Sequence, residues 1–125
     1  MRLVRLLRES RSTTSAEWRL CLRWLNAYQE ELSDLGITPA QARAVLYLQR
    51  NPDCSIQHCA GVFGVVSSTM RQLVRGLHHK GWITKQRSPE DDRSVLLALT
   101  PKGHILAWLL HKQLNARLPL TTIAS

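Results

Sequence analysis

Apolar residues recur every three or four positions along the first half of the chain, which is the spacing of helices that bury one face. This pattern predicts a first helix from Ala16 to Leu35, with Gly36 at its end. A second helix is predicted from Pro39 to about Arg50, because Thr38 can cap it and Asn51-Pro52-Asp53 supplies turn residues after it. Both helices are expected to contribute one buried stripe to a common core.

Two shorter helices follow, and a turn of only a few residues joins them. Ser55 can cap a third helix that stops at Gly64. A fourth helix spans about Ser67 to Lys80, with Gly81 just past its end. Two helices joined this tightly indicate a helix-turn-helix.

The helical pattern ends at Gly81, and further along, from Ser94 to Leu99, Val95, Leu97 and Leu99 alternate on one face. Residues 82–87 and 94–99 are rich in strand formers, and the loop between them is polar, charged and contains Pro89, which predicts a hairpin with a wing. Thr100-Pro101 then opens a fifth helix, to about Leu118, that is apolar nearly all round. Because one small domain cannot cover so much apolar surface, the surplus predicts a subunit interface.

These elements define the predicted fold class, which is mainly α with a small β-hairpin wing. It is a winged helix-turn-helix with N- and C-terminal helices for dimerisation. We place the domain at residues 16–118, with its recognition helix at about 67–80 and its wing at about 82–100. Residues 1–15, in which arginines recur three apart, are expected to form a basic N-terminal arm, and residues 119–125 a tail.

The charge of the chain indicates the kind of partner. A formal net charge of +8 on 125 residues points to an acidic partner, which could be nucleic acid or an anionic membrane. No apolar run approaches the roughly 20 residues that span a bilayer, so a cytoplasmic location without a membrane partner is expected. Attachment of the N-terminal arm to a membrane surface is the alternative that charge alone leaves open.

The fourth helix carries the candidate DNA-binding residues. At helical spacing its outward side is polar and basic, and its first turn adds hydroxyl groups. An α-helix fits the major groove, where arginine can bind guanine, glutamine can bind adenine, and hydroxyls can bind bases or phosphates. A solvated basic face would have the same composition, but the flanking elements favour DNA. The predicted DNA-binding residues, with two arginines of the wing included, are Ser67, Ser68, Thr69, Arg71, Gln72, Arg75, Arg87 and Arg93.

Three stretches of the chain resemble the MarR family of winged helix-turn-helix regulators, over about residues 35–110. The first, Leu35-Gly36-Ile37-Thr38-Pro39-Ala40-Gln41, is similar to the entry into the family's second helix. The second runs from Gly64 through the recognition helix to Ile83. The third and most specific is the wing, with Asp-x-Arg at Asp91 to Arg93, followed by Leu-Thr-x-x-Gly at residues 99–103.

The resemblance implies roles for the wing and for the start of the recognition helix. Arg93 would enter the minor groove of DNA, and Asp91 would hold its guanidinium group; a purely local ion pair is the alternative. Val66 stands where the family has a capping serine or threonine, so Ser67 is expected to cap this helix one residue later. Gly76 costs the helix roughly 1 kcal/mol relative to alanine. The short segment after Pro119 leaves the dimer geometry open.

The function that the resemblance implies is a sequence-specific, double-stranded DNA-binding transcriptional regulator. It would be a repressor acting as a homodimer, with two recognition helices in successive major grooves of a pseudo-palindromic site. A small-molecule effector is a further partner that the resemblance implies. The alternative is a winged-helix module for protein–protein assembly or non-specific DNA binding in a replication, plasmid or phage complex.

No catalytic, cofactor or metal site is predicted. The chain has no Gly-x-Ser-x-Gly, no His-Glu-x-x-His and no phosphate-cradling glycine loop, so an enzyme is not expected. Cys54, His58 and Cys59 are close in sequence, but they lack the fourth ligand of a structural zinc site.

Cys21 has two interpretations. It lies roughly where the hydroperoxide-sensing members of the family have a reactive cysteine, which makes it a candidate redox sensor. Reactivity requires a lowered thiol pKa, and Arg19 and Arg23 are the cations near it in sequence. Core packing is the other interpretation.

Overall fold

The computed structural model describes residues 15–90 and 93–117. Residues 1–14 of the predicted arm, the wing residues 91 and 92, and residues 118–125, which include the predicted tail at 119–125, lie outside the described residues. The elements, in chain order, are α1 (Ser15–Asn26), α2 (Gln29–Asp34), α3 (Pro39–Arg50), β1 (Cys54–Ser55), α4 (Ile56–Phe63), α5 (Ser67–His79), β2 (Ile83–Arg87), β3 (Val95–Leu99) and α6 (Pro101–Arg117).

The prediction of one continuous first helix is wrong, because the helix breaks after Asn26. The backbone N–H of Ala27 donates to Trp24 O and that of Tyr28 to Leu25 O, both at 3.0 Å, so the last turn of α1 closes with i→i−3 bonds. α2 then begins at Gln29. The apolar spacing continues across the break, since Leu25 and Leu32 are both buried, and it therefore conceals the break.

α3 is the central helix of the core. Its predicted start is confirmed, because the Thr38 hydroxyl accepts a hydrogen bond from Gln41 N and the Gln41 side chain accepts one from Thr38 N. All residues from 42 to 48 are buried, rather than the single predicted stripe, because α1, α6 and β3 pack around this helix. The buried set includes Arg43, whose guanidinium carbon lies 4.3 Å from the centre of the Phe63 ring.

The sheet has three antiparallel strands in the order β1-β3-β2. The predicted hairpin is confirmed, with Ile83 opposite Leu99 at its base and Arg87 opposite Val95 at its far end. β1 was not predicted from the sequence, and its Cys54 pairs with Leu97 on the other edge of β3. The wing is thereby joined to the segment that precedes the helix-turn-helix.

The helix-turn-helix is formed by α4 and α5, which pack on each other. The Ser55 hydroxyl accepts a hydrogen bond from His58 N at 3.0 Å, and Gly64 ends α4 at φ 69°, as the capping signals predicted. On α5 the side chains of Met70, Val74 and Leu77 are buried and Leu73 is partly buried. The architecture is therefore the mainly helical winged helix-turn-helix that the sequence predicted.

Candidate nucleic-acid interface

The start of α5 differs from the prediction. The helix begins at Ser67, and Val66 is the N-cap residue, with no side-chain hydrogen bond to the first turn. The prediction that Ser67 caps the helix is therefore wrong, because Ser67 is already inside it. Val66 is 67% exposed, which is unusual for an apolar side chain at a helix start. The sequence analysis treated Val66 only as a missing cap. Its apolar residue type also places an exposed apolar side chain at the start of the helix.

The predicted residues of α5 lie together on the outside of the molecule. All six are exposed, and the buried side chains of Met70, Val74 and Leu77 hold the opposite side of the helix against the core. The outward residues are Ser67, Ser68, Thr69, Arg71, Gln72 and Arg75. A surface of this kind can offer hydroxyl, amide and guanidinium donors to the floor and walls of a major groove.

Gly76 brings α5 close to α3. A Cβ added at Gly76 would lie 3.2 Å from Nε2 of Gln41, the residue that closes the capping box of α3. The glycine that was expected only to weaken the recognition helix therefore has a packing role. It leaves room for the Gln41 side chain against the last turn of α5.

The C-terminal end of α5 is held by lysines. Lys80 Nζ donates a hydrogen bond to Gly36 O and lies 4.9 Å from the centre of the Trp82 ring. Lys102 Nζ in turn donates to Lys80 O at 3.0 Å. These contacts tie α5 to the loop before α3, to the base of the wing and to α6.

The wing places two more predicted residues at the surface. Arg87, the last residue of β2, and Arg93, in the loop, are both exposed, and Ser88 N donates to Ser94 O at 2.9 Å across the base of that loop. Asp91 lies outside the described residues, so its role in orienting Arg93 stays a prediction.

The outer part of β2 carries polar residues that the sequence analysis did not single out. The four residues from Thr84 to Arg87 are all exposed, and they include Lys85 and Gln86. Their signal in the sequence was an unbroken polar run within a strand, where a half-buried strand would alternate. The side of the wing thus adds a second cationic and amide-bearing edge beside α5.

The base of the wing is a compact junction with the first turn of α6. Thr100 Oγ1 donates to Gly81 O at 2.6 Å and accepts from Gly103 N at 3.0 Å, while Thr100 N donates to Trp82 O at 3.0 Å. A Cβ at Gly103 would lie 2.1 Å from Trp82 O, so only glycine fits there. This is the physical reason for the Leu-Thr-x-x-Gly pattern at residues 99–103.

Cys21 is buried in the core, away from the residues at this surface. Burial raises the pKa of the Cys21 thiol to about 12, and the nearby charge of Arg43 opposes this only in part. Arg19 and Arg23, the cations near Cys21 in sequence, are both exposed, and Arg19 Nη2 donates a hydrogen bond to Gly61 O at 3.2 Å. The described surroundings therefore favour the core-packing interpretation.

Residues 15–90 and 93–117 contain no group of three or more His, Cys, Asp or Glu side chains placed to hold a metal ion. Within the same ranges, no helix has both the length and the apolar character needed to cross a membrane.

α6 has an apolar side that the described part of the chain leaves uncovered. Ile105 is 61% exposed and Trp108 58% exposed, and Leu109 lies beside them. Lys112 Nζ lies 5.0 Å from the centre of the Trp108 ring. This is the surplus apolar surface that the sequence predicted for the last helix.

Comparisons with known proteins agree with the geometry. A family model described as MarR family matches residues 35–94. The chain is 33% identical over 79 residues to the organic hydroperoxide resistance transcriptional regulator of Bacillus subtilis, which covers 63% of this chain and 54% of that protein. It is also 33% identical over 100 residues to the multiple antibiotic resistance protein MarR of Salmonella typhimurium, which covers 73% of this chain and 61% of that protein.

A solved structure shows the same fold. A mutant MarR from E. coli, complexed with operator DNA, superimposes with a TM-score of 0.66 at 25% identity, over 72% of this chain and 68% of that one. The chain spans little more than half the length of the two sequence relatives. The matched family model and these similarities show that the chain resembles the MarR family over residues 35–94.

Proposed function

We propose that the chain is a sequence-specific, double-stranded DNA-binding transcriptional regulator rather than an enzyme, and that it acts as a homodimeric repressor. The observation that carries the proposal is the outward surface of α5, where six polar or basic side chains are exposed while the opposite side is locked into the core. A helix held in this way keeps its DNA-facing side chains in register with a groove.

The wing supports the proposal through its position and charge. Arg87 and Arg93 are exposed on the hairpin that follows α5, and the junction at Thr100 and Gly103 fixes the base of that hairpin. Arg93 would contact the minor groove beside the major groove occupied by α5. Two of the similar proteins are a transcriptional regulator and a MarR complexed with operator DNA, which favours the same activity here.

The homodimer part of the proposal rests on α6. One side of this helix packs on α3, and Ile105, Trp108 and Leu109 are exposed on the same helix. A second copy of the chain would bury these apolar side chains. The repressor role, the cytoplasmic location and the small-molecule effector stay predictions.

The test is selection of binding sites from mixed genomic fragments, followed by affinity measurements on the selected fragment. We expect an enriched inverted repeat whose half-sites lie about one helical turn apart. Arg93→Ala is expected to weaken binding about tenfold and to reduce the salt dependence by about one ion. Arg23→Ala removes the same charge from an exposed site on α1 and is expected to change neither.

Two outcomes would contradict the proposal. Recovery of fragments with no shared inverted repeat would favour a non-specific DNA-binding or protein-assembly module. An Arg93→Ala affinity equal to that of the parent at every salt concentration would remove the wing from the interface.

A further inference from the structure

Cys54 and Cys59 lie side by side, and DNA binding makes no use of them. Cys54 is in β1 and Cys59 is one turn into α4, and their Sγ atoms are 2.8 Å apart. Both are free thiols. A disulfide needs a separation of about 2.05 Å, so the two sulfurs would have to approach by less than about 1 Å.

Solvent reaches one of the two thiols before the other. Cys54 is 7% exposed and borders an open surface depression, whereas Cys59 is fully buried beneath it. The depression is lined by Tyr47, Arg50, Asn51, Pro52, Asp53, Cys54, Ser55, His58 and Leu96. A small oxidant that enters from this side therefore meets the Cys54 sulfur first.

The surroundings shift the pKa values of the two thiols in opposite directions. A hydrogen bond from Cys59 lowers the pKa of the Cys54 thiol, and one from the Tyr47 hydroxyl adds to this against the opposing effect of burial. The pKa of Cys59 is raised by the same hydrogen bond and by burial. Tyr47 Oη also lies 3.1 Å from His58 Nε2, which holds the hydroxyl at this position. Cys54 is thus the more acidic thiol of the pair, and Cys59 is the less acidic one.

We propose that Cys54 and Cys59 form a peroxide-reactive dithiol, in which Cys54 is the attacking residue and Cys59 the resolving residue. The Cys54 thiolate attacks one oxygen of the peroxide and the O–O bond breaks, which leaves Cys54 as a sulfenic acid. With hydrogen peroxide, the departing hydroxide takes up the proton that Cys54 had released and becomes water.

The second step closes the disulfide. The Cys59 sulfur attacks the Cys54 sulfur, the S–O bond breaks, and the hydroxyl leaves as water with the Cys59 proton. The balance is two thiols and one hydrogen peroxide to one disulfide and two waters, with two electrons passing from the sulfurs to the peroxide. The bond would link β1, which pairs with the wing strand β3, to the first helix of the helix-turn-helix.

The test uses the full reduced chain and hydrogen peroxide, without DNA, so it stands or falls separately from the proposed function. After oxidation the chain is unfolded in denaturant so that every free thiol can be alkylated, and it is then digested with trypsin. Cleavage after Arg50 and Arg71 puts both cysteines in one peptide, and cleavage after Arg19 and Arg23 isolates Cys21.

We expect the peptide of residues 51–71 to lose about 2 Da, the mass of two thiol hydrogens, and to take up no alkyl group. The Cys21 peptide should stay fully alkylated, because its thiol is buried and protonated. Alkylation of both Cys54 and Cys59 after the same treatment would overturn the proposal, and so would oxidation of Cys21 ahead of them.

Single substitutions test the order of attack. In Cys59→Ser, Cys54 should stop at the sulfenic acid, which dimedone traps. In Cys54→Ser, Cys59 should react at least about tenfold more slowly and bind no dimedone, because it lacks thiolate character. Cys21→Ser is the control and should form the disulfide at the rate of the parent. If Cys59 in Cys54→Ser were labelled by dimedone as fast as the parent forms its disulfide, the assigned roles would be contradicted.

Discussion

Val66 occupies a position at which a helix normally begins with a hydroxyl or amide side chain. Its side chain is exposed at the end of α5 that we place in the major groove, beside Ser67 and Ser68. An apolar group there can contact the C5-methyl group of thymine, which no polar side chain of the helix would recognise as well. The helix gives up a cap at this residue and gains an apolar contact surface.

Replacement of thymine by deoxyuridine, one position at a time in the selected DNA site, tests this contact. At one thymine in each half-site the parent should lose about fourfold in affinity, the value of one buried methyl group at about 0.8 kcal/mol. Val66→Ala should bind both forms of the site equally. A parent protein that binds every deoxyuridine site as well as the thymine site would contradict the contact.

Val66→Thr is the matched control, because it keeps a methyl group and restores a capping hydroxyl. We expect it to retain the discrimination against deoxyuridine and to raise the free energy of unfolding by about 1 kcal/mol. Denaturant unfolding measures the second effect without DNA.

At the scale of elements, the position of the wing depends on one backbone contact. Gly103 in the first turn of α6 lies against Trp82 O, and Thr100 bonds to both sides of this contact. The wing and α6 therefore cannot separate without loss of several hydrogen bonds. This junction therefore fixes the base of the hairpin that carries the exposed arginines Arg87 and Arg93.

Gly103→Ala is expected to lower the free energy of unfolding by about 3 kcal/mol, because its Cβ would overlap Trp82 O and displace either the wing or the helix. Gly61→Ala is the control, since a Cβ at that helical glycine meets no atom within 4 Å. It should raise stability by up to about 1 kcal/mol. Equal unfolding midpoints for the two variants would contradict the close contact.

Local chemistry explains which elements the sequence could predict. The capping box at Thr38 and Gln41, the Ser55 cap and the left-handed Gly64 depend on residues close in sequence, and all three are confirmed. The hairpin could be predicted for the same reason, from strand-forming residues before a polar loop and apolar alternation after it. The outward side of α5 followed from helical spacing alone.

The features that the sequence missed depend on distant partners. β1 exists because Cys54 meets Leu97, which is far away along the chain. The all-round burial of α3 results from the helices and strand that surround it, and the break after Asn26 is hidden because Leu25 and Leu32 keep helical spacing. For the same reason, the cation that acts on the pKa of Cys21 is Arg43, which is distant in sequence, rather than Arg19 or Arg23.

At the scale of the whole molecule, the proposed DNA binding requires two copies of the chain. One α5 and one wing cover a single half-site, and an inverted repeat needs a twofold partner. The uncovered side of α6, with Ile105 and Trp108, is the surface that the described residues offer for it.

Trp108→Glu should convert the homodimer into a monomer of 14.2 kDa, because it places a carboxylate in the apolar interface. The fold of the monomer should persist, since Trp108 is 58% exposed within one chain. Gln57→Glu, at an exposed position of α4, is the control and should leave the mass of the assembly unchanged. Masses measured over a range of protein concentrations check this, and a parent that is monomeric at all of them would contradict the dimer.

The central claim is that the outward surface of α5 reads DNA sequence, and the most direct measurement is a parallel site selection with the parent and with Gln72→Ala. If Gln72 binds an adenine edge, the variant should lose the preference at one position of each half-site, at a cost of about 1–3 kcal/mol, and keep the preference elsewhere. The same ranked set of sites from both proteins, with uniformly changed affinity, would contradict the account.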